Sequence, residues 1–239
     1  MIISNSRKFI FIHIMKAAGT SITKTLDTFL EWNDLLLGAT SFGETLQKLY
    51  YNRFQLHKHS RALEVRKIIG KNLWDMYFTF TFVRHPFDRA VSLYTWIKGM
   101  IEAEGCRRYF PFKLLRKRPF WEYPGTKAFM ETNSFSEFIR NKKLLDLAPG
   151  FMPQTEWVID ENREVIIDYI GKVETIEKDF QYIASKIDCP EIGIDVHNRS
   201  RRKIPNQIII NEDDREYLFN RFRSDFENFG YRYNAGFPE

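Results

Sequence analysis

The sequence predicts an α/β fold, a central parallel sheet flanked by helices, in one domain covering residues 1–239. Three observations predict it. Short apolar or β-branched runs recur at residues 9–14, 77–83 and 165–171. Each is followed by apolar residues at helical spacing. No Gly/Ser linker, internal repeat or low-complexity tract divides the chain. Strands that alternate with helices in this way run parallel in one sheet.

The elements follow in order. Residues 9–14 form a nearly continuous apolar run, the mark of a strand buried on both faces. Lys16 to Ser21 make a compact turn of small residues, and Ile22, Leu26, Phe29 and Leu30 then trace one helical face opening at about Thr20. Ser60 is placed to cap a helix through Val65, Ile68 and Ile69 to Gly70. Residues 77–83 read as the second strand, stopped by Arg84-His85-Pro86, with Pro86 suited to a first helical turn. Phe87, Ala90, Val91 and Tyr94 supply that helix's core stripe, while Arg84, Asp88 and Ser92 share another face. Residues 97–160 hold a basic run and many aromatics without a clear period. Ile176, Phe180, Ile183 and Ile187 follow the third strand in helical register. Near the end, Asn211 is placed to cap a helix carrying Tyr217, Leu218 and Phe222 toward Phe226.

Composition narrows the function. At 239 residues, 44 % of them hydrophobic, the chain builds a core without metal or disulfide staples, which excludes disordered, collagenous and disulfide-framework classes. Cys106 and Cys189 share no CxxC pattern, so a reduced pair is favoured over one long-range bridge. The N-terminal apolar run ends at Lys16, too short for a signal peptide or a spanning helix, and the expected location is cytoplasmic. Net charge is +5, and the excess is clustered. Six of the twelve residues from Arg107 to Arg118 are basic and none is acidic, and Arg199, Arg201, Arg202 and Lys203 form a second group. Each cluster fits either a solvated face or attraction to an anionic partner.

The loop after the first strand carries the sharpest signal. A strand feeding small residues and then a helix N-terminus presents backbone N–H groups and the helix dipole to an anion. Gly19 permits close approach, Thr20 and Ser21 add hydroxyls, and Lys16 adds a charge. A plain strand-to-helix turn with a capping Thr fits the spacing as well. An ATP-type loop needs its lysine after the last glycine, and here Lys16 precedes Gly19.

The segment Phe11-Ile12-His13-Ile14-Met15-Lys16-Ala17-Ala18-Gly19-Thr20-Ser21 resembles the 5′-phosphosulfate loop of sulfotransferases that use 3′-phosphoadenosine 5′-phosphosulfate (PAPS). Residues 82–94, from Phe82 through Arg84, Arg89 and Ser92 to Tyr94, are similar to that family's 3′-phosphate segment, VRxPxxRxxSxY. Gly171-Lys172-Val173-Glu174 resembles a third family block, and Asp225-Phe226-Glu227-Asn228-Phe229-Gly230-Tyr231 the tail of its carbohydrate and bacterial branch. The blocks occur in order along nearly the whole chain. The resemblance implies a P-loop-like fold and transfer of a sulfuryl group from PAPS to a hydroxyl, with PAP released.

It also implies roles. Lys16 would contact the 5′-phosphosulfate and stabilise charge on the bridging oxygen. Ala17, Ala18, Gly19, Thr20 and Ser21 would cradle the 5′-phosphate, and Arg84 and Ser92 would hold the 3′-phosphate. Arg89 reads as a structural ion partner. The stretch Leu56-His57-Lys58-His59-Ser60 resembles the family's histidine-bearing segment, and His59 is favoured over His57 as the base that takes the acceptor proton. His13 reads as a packed core histidine, Glu174 is the next choice of base, and His197 lies beside the second basic cluster. The 97–160 region is expected to shape the acceptor site. The acceptor is expected to be a saccharide or glycolipid, and the basic run of residues 107–118 would meet an acidic glycan or an anionic membrane. No nucleic acid is expected as a partner, and no metal-ligand spacing occurs. Two rival readings stay open, a non-catalytic protein that binds sulfated glycans or other anions, and an atypical nucleotide-dependent kinase.

Overall fold

A computed structural model describes residues 1–107, 119–189, 193–194, 208 and 210–233. The described elements are β1 (Ile2–Ser4), β2 (Phe9–Ile12), α1 (Gly19–Asp27), β3 (Leu35–Leu36), α2 (Ser41–Phe54), α3 (Ala62–Ile69), α4 (Lys71–Asp75), β4 (Phe78–Val83), α5 (Pro86–Arg107), α6 (Pro119–Glu122), α7 (Pro124–Met130), α8 (Phe135–Arg140), α9 (Lys142–Leu147), β5 (Tyr169–Lys172), α10 (Ile176–Lys186), α11 (Glu212–Arg221) and α12 (Arg223–Phe229). The chain divides into two compact units, Met1–Arg84 with Gln154–Lys203, and His85–Pro153 with Ile204–Glu239.

The first unit is α/β, as the sequence predicts. Its five strands lie in the order β3-β1-β2-β4-β5. The three strands foreseen from the sequence, β2, β4 and β5, form a parallel block ending at the β5 edge, with Phe11 opposite Phe80 and Phe82 opposite Gly171. The sheet as a whole is mixed, because β1 and β3 extend it antiparallel on the β2 side. Those strands are three and two residues long, below what apolar periodicity can signal.

Alternation along the strands sorts the core. Phe9, Phe11, Phe80 and Phe82 point to the face covered by Ile22 and Leu26 of α1 and by Ile176, Phe180 and Ile183 of α10. Ile10, Ile12, Thr79 and Thr81, on the opposite face, are buried as well. A sheet covered on both sides leaves strand ends and their loops as the exposed place for chemistry.

Some boundaries differ from expectation. Residues 165–168 precede rather than form β5: Val165 makes an isolated bridge to Ile159, and the Asp168 carboxylate accepts the Thr79 N–H and hydroxyl. Ser60 does not cap α3. Its hydroxyl accepts the His57 N–H, and Arg61 opens the helix with its own N–H held by Glu64. Asn211 does cap α11, accepting the Asp214 N–H at 2.8 Å, but the helix breaks at Phe222 and restarts as α12.

The second unit is helical in its described residues. Phe87, Ala90, Leu93 and Ile97 of α5 pack on Phe135 and Phe138 of α8 and on Leu218, Phe222 and Phe226 of the last two helices. Among the described residues no helix is long and apolar enough to cross a membrane.

Candidate active site

Past β2 the chain crosses residues 13–18 before α1 begins at Gly19. Lys16 and Ala18 adopt left-handed φ of 67° and 58°, at a cost of about 1–2 kcal/mol for each non-glycine residue. Left-handed residues alternating with ordinary ones turn consecutive N–H groups toward one side, the geometry of an anion-binding nest. No side chain caps α1, and among its opening N–H groups that of Ser21 is taken by the Ala18 carbonyl at 3.0 Å. Ala17, Gly19 and Ser21 are buried, Lys16 and Ala18 half-buried, and Thr20 exposed. Gly19 is required by packing, since a Cβ there would fall 2.1 Å from His13 Cδ2 and 2.2 Å from its Nε2.

Arg84 follows β4, the parallel neighbour of β2, so it leaves the sheet at the same edge as the Lys16 loop. The two cations feel each other. Burial first, and the charge of Arg84 second, pull the Lys16 ammonium down to about 8. A fully buried amide fixes the Arg84 backbone from both sides. Gln154 Oε1 accepts its N–H at 2.9 Å, and Gln154 Nε2 donates to its carbonyl at 2.8 Å.

The histidines sort by hydrogen bonding. His59 Nδ1 lies 2.8 Å from the His13 carbonyl oxygen, which can only accept, so Nδ1 carries the proton and Nε2 the lone pair. His57 is the opposite tautomer. Its Nδ1 accepts the His59 N–H at 3.1 Å, which leaves Nε2–H as a donor. The His59 carbonyl is held by the Trp157 indole N–H at 3.2 Å, and its ring meets His13 edge to face at 4.7 Å. Burial pushes His59 down to about 3, with Lys58 adding to the fall, and lowers His13 and His57 too. His59 is therefore neutral at neutral pH. A cleft of about 560 Å³ opens beside it, lined by Gln47, Lys48, Tyr51, Asn52, His57 and Lys58 among others.

Thus His59, His13 and Gly19 form one continuous stack in the first unit, with Lys16 and Arg84 in electrostatic contact. Glu174 is exposed just past β5. In the second unit Ser92 is half-buried on α5. Arg89 on the same helix is buried and structural. It donates to the Met152 carbonyl at 2.9 Å, and the charge of the buried Asp225 opposes the burial that lowers it to about 10. His85 is packed among Phe87, Phe226 and Tyr231, with Nε2 3.2 Å from the Arg232 carbonyl. His197, the Arg199–Lys203 cluster and residues 108–118 lie outside the described residues.

Sequence reasoning missed Gln154, Trp157 and the His13 carbonyl. Each acts on backbone, or from backbone, across 46 to 98 residues, and no local pattern announces such a bond.

A model of the sulfotransferase family matches residues 1–232. The chain is 29 % identical over 130 residues to an uncharacterized protein of Archaeoglobus fulgidus, covering 54 % of this chain and 83 % of that protein. It is also 29 % identical over 176 residues to carbohydrate sulfotransferase 10 of Homo sapiens, and equally to that of Pongo abelii, covering 65 % of this chain and 47 % of each relative. The chain thus spans about half the length of those two relatives. No solved structure matches.

Proposed function

This chain belongs to the sulfotransferase family, and from that premise we propose that it moves a sulfuryl group from PAPS to a hydroxyl of a saccharide or glycolipid. The observation that carries the reading is the pairing of Lys16 with Arg84, two like charges gathered where the parallel strands β2 and β4 end. Such a pair is unfavourable by itself and becomes favourable around an anion with more than one phosphate. The left-handed turns at Lys16 and Ala18 support it, since strained backbone persists where the surrounding structure and a function hold it.

Bound PAPS would supply a sulfuryl group whose S–O bond to the phosphate breaks as the acceptor oxygen bonds to sulfur, the electron pair leaving with PAP. The residues divide the remaining work. The amides of Ala17 and Ala18, with Gly19, Thr20 and Ser21, hold the 5′-phosphate. Lys16 stabilises negative charge at the bridging oxygen, an interaction that strengthens as the bond breaks. Arg84 holds the 3′-phosphate with charge-assisted hydrogen bonds, joined by the Ser92 hydroxyl. His59 takes the acceptor proton on Nε2, with Nδ1 kept protonated by the His13 carbonyl. Anions bound beside it raise the low proton affinity that burial gives this ring.

The test is incubation with PAPS and a panel of neutral and acidic saccharides, with PAP release and product mass as readouts. Acceptor-dependent PAP release, lost in Lys16→Ala, supports the reading. ADP release from ATP and Mg²⁺ with PAPS left intact would overturn it.

A further inference from the structure

The cleft beside His59 is built mainly by α2, and α2 is an unusual helix. Over fourteen residues it buries only Gly43. A Cβ on Gly43 would fall 2.5 Å from both the Gly38 carbonyl and Leu36 Cδ2, so the first turn is pressed against the β3 turn and the rest projects outward. A bond from its middle adds to this. Gln47 Oε1 accepts the Lys58 N–H at 2.8 Å, fixing the middle of α2 to the histidine segment.

What α2 turns toward that segment is suited to binding. Tyr51 is 49 % exposed, with its ring 6.1 Å from the His57 ring. The Oε1 bond leaves the Gln47 NH₂ as a donor, and Asn52 adds an exposed amide. Two lysines line the same cleft. Lys58 is matched by Glu44 at 3.3 Å, whereas Lys48 is exposed and makes no ion pair among the described residues. Among the described residues no carboxylate lines the cleft.

We propose that this cleft is the acceptor subsite, and that it takes a saccharide carrying a negative group. The Tyr51 ring is the platform for a sugar face, and Lys48 pairs with the acceptor's anionic group. The two histidines then read neighbouring oxygens by their opposite tautomers. His59 Nε2 accepts from the hydroxyl that reacts, and His57 Nε2–H donates to an oxygen beside it. This assigns acceptor recognition to α2 of the first unit, whereas the sequence suggests the 97–160 region. The inference rests on the PAPS-dependent reading of the same site.

The experiment uses hexuronate-containing tetrasaccharides and the same tetrasaccharides with their carboxyls reduced, each titrated into the full chain saturated with PAP. Lys48→Ala and Tyr51→Ala are the variants, both at exposed positions where folding is not at stake. The expected result is binding of the acidic tetrasaccharide that weakens at least about tenfold in each variant, with PAP affinity unchanged. The carboxyl-reduced form binds wild type and Lys48→Ala alike. Wild type that binds PAP but not the acidic tetrasaccharide, or variants that bind it as wild type does, would overturn the subsite. Failure to bind PAP at all would count against the donor reading instead.

Discussion

The Nδ1–H of His59 donates to the backbone carbonyl of His13 at 2.8 Å, and this one bond decides that Nε2 carries the lone pair. His57, two residues away, is locked in the other tautomer by the His59 N–H. His59→Ala should lower the transfer rate about 10²–10⁴-fold, the range typical of a lost general base, with PAP affinity preserved. His57→Ala should cost much less. Single-turnover rates at saturating PAPS separate the two, and equal losses would contradict the tautomer assignment.

The same histidines make stability sensitive to acid. Burial lowers the folded values of His59 and His13 below 6.5, so both must stay neutral in the folded chain. The unfolded chain takes up protons first as pH falls. Their contribution is complete above about pH 6.5 and declines toward the folded value of about 3 for His59. His59 contributes the slope of a single proton across that window, and His13, kept neutral by the same burial, adds to the loss in the same direction. Denaturant melts from neutral to mildly acidic pH should show this slope, and His59→Gln should reduce it.

Lys16 sets the alkaline limit. With the ammonium at about 8 before ligand binds, PAP affinity should be level below that pH and decline above it as the charge is lost. Binding an anion raises the value again, so titrations near pH 8 in buffers of different ionisation enthalpy should reveal proton uptake. A pH-independent affinity would show that Lys16 does not meet the ligand.

Gly19→Ala would drive a Cβ into the His13 ring at 2.1 Å. Overpacking of this kind costs about 1–3 kcal/mol, and relief requires the His13 ring, which meets the His59 ring edge to face at 4.7 Å, to move. Thermal melts should shift down, with a rate loss larger than the loss of PAP affinity.

The parts legible from sequence are those written in local order. The runs that became β2 and β4, the helical stripes of α1 and α10, Pro86 at the start of α5 and the Lys16–Ser21 loop all rest on neighbouring residues. Arg89 was readable as structural, although its partner Asp225, far along the chain, was not. Strands as short as β1 and β3 carry no period, and α2 buries too little to show one. The Gln154 amide on Arg84 and the Trp157 indole on His59 exist only once the chain has folded.

Gln154 gives a prediction of its own. Gln154→Leu leaves a buried N–H and C=O at Arg84 without partners, at about 1–3 kcal/mol per orphaned group. The loosened guanidinium should discriminate less between PAP and ADP, while Gln154→Glu, keeping the acceptor, should restore part of the difference. A variant that loses stability but keeps full discrimination would confine Gln154 to a structural role.

The most direct measurement is calorimetric titration of the purified chain with PAP and with ADP, in wild type and Arg84→Ala. Both carry two phosphates, but the second sits on the 3′-oxygen in PAP, the group assigned to Arg84, and at the β position of the 5′ chain in ADP. Much tighter binding of PAP by wild type, with the advantage lost in Arg84→Ala and ADP binding little changed, is the expected result. Equal affinity of wild type for PAP and ADP, or an advantage that survives the substitution, would contradict the account.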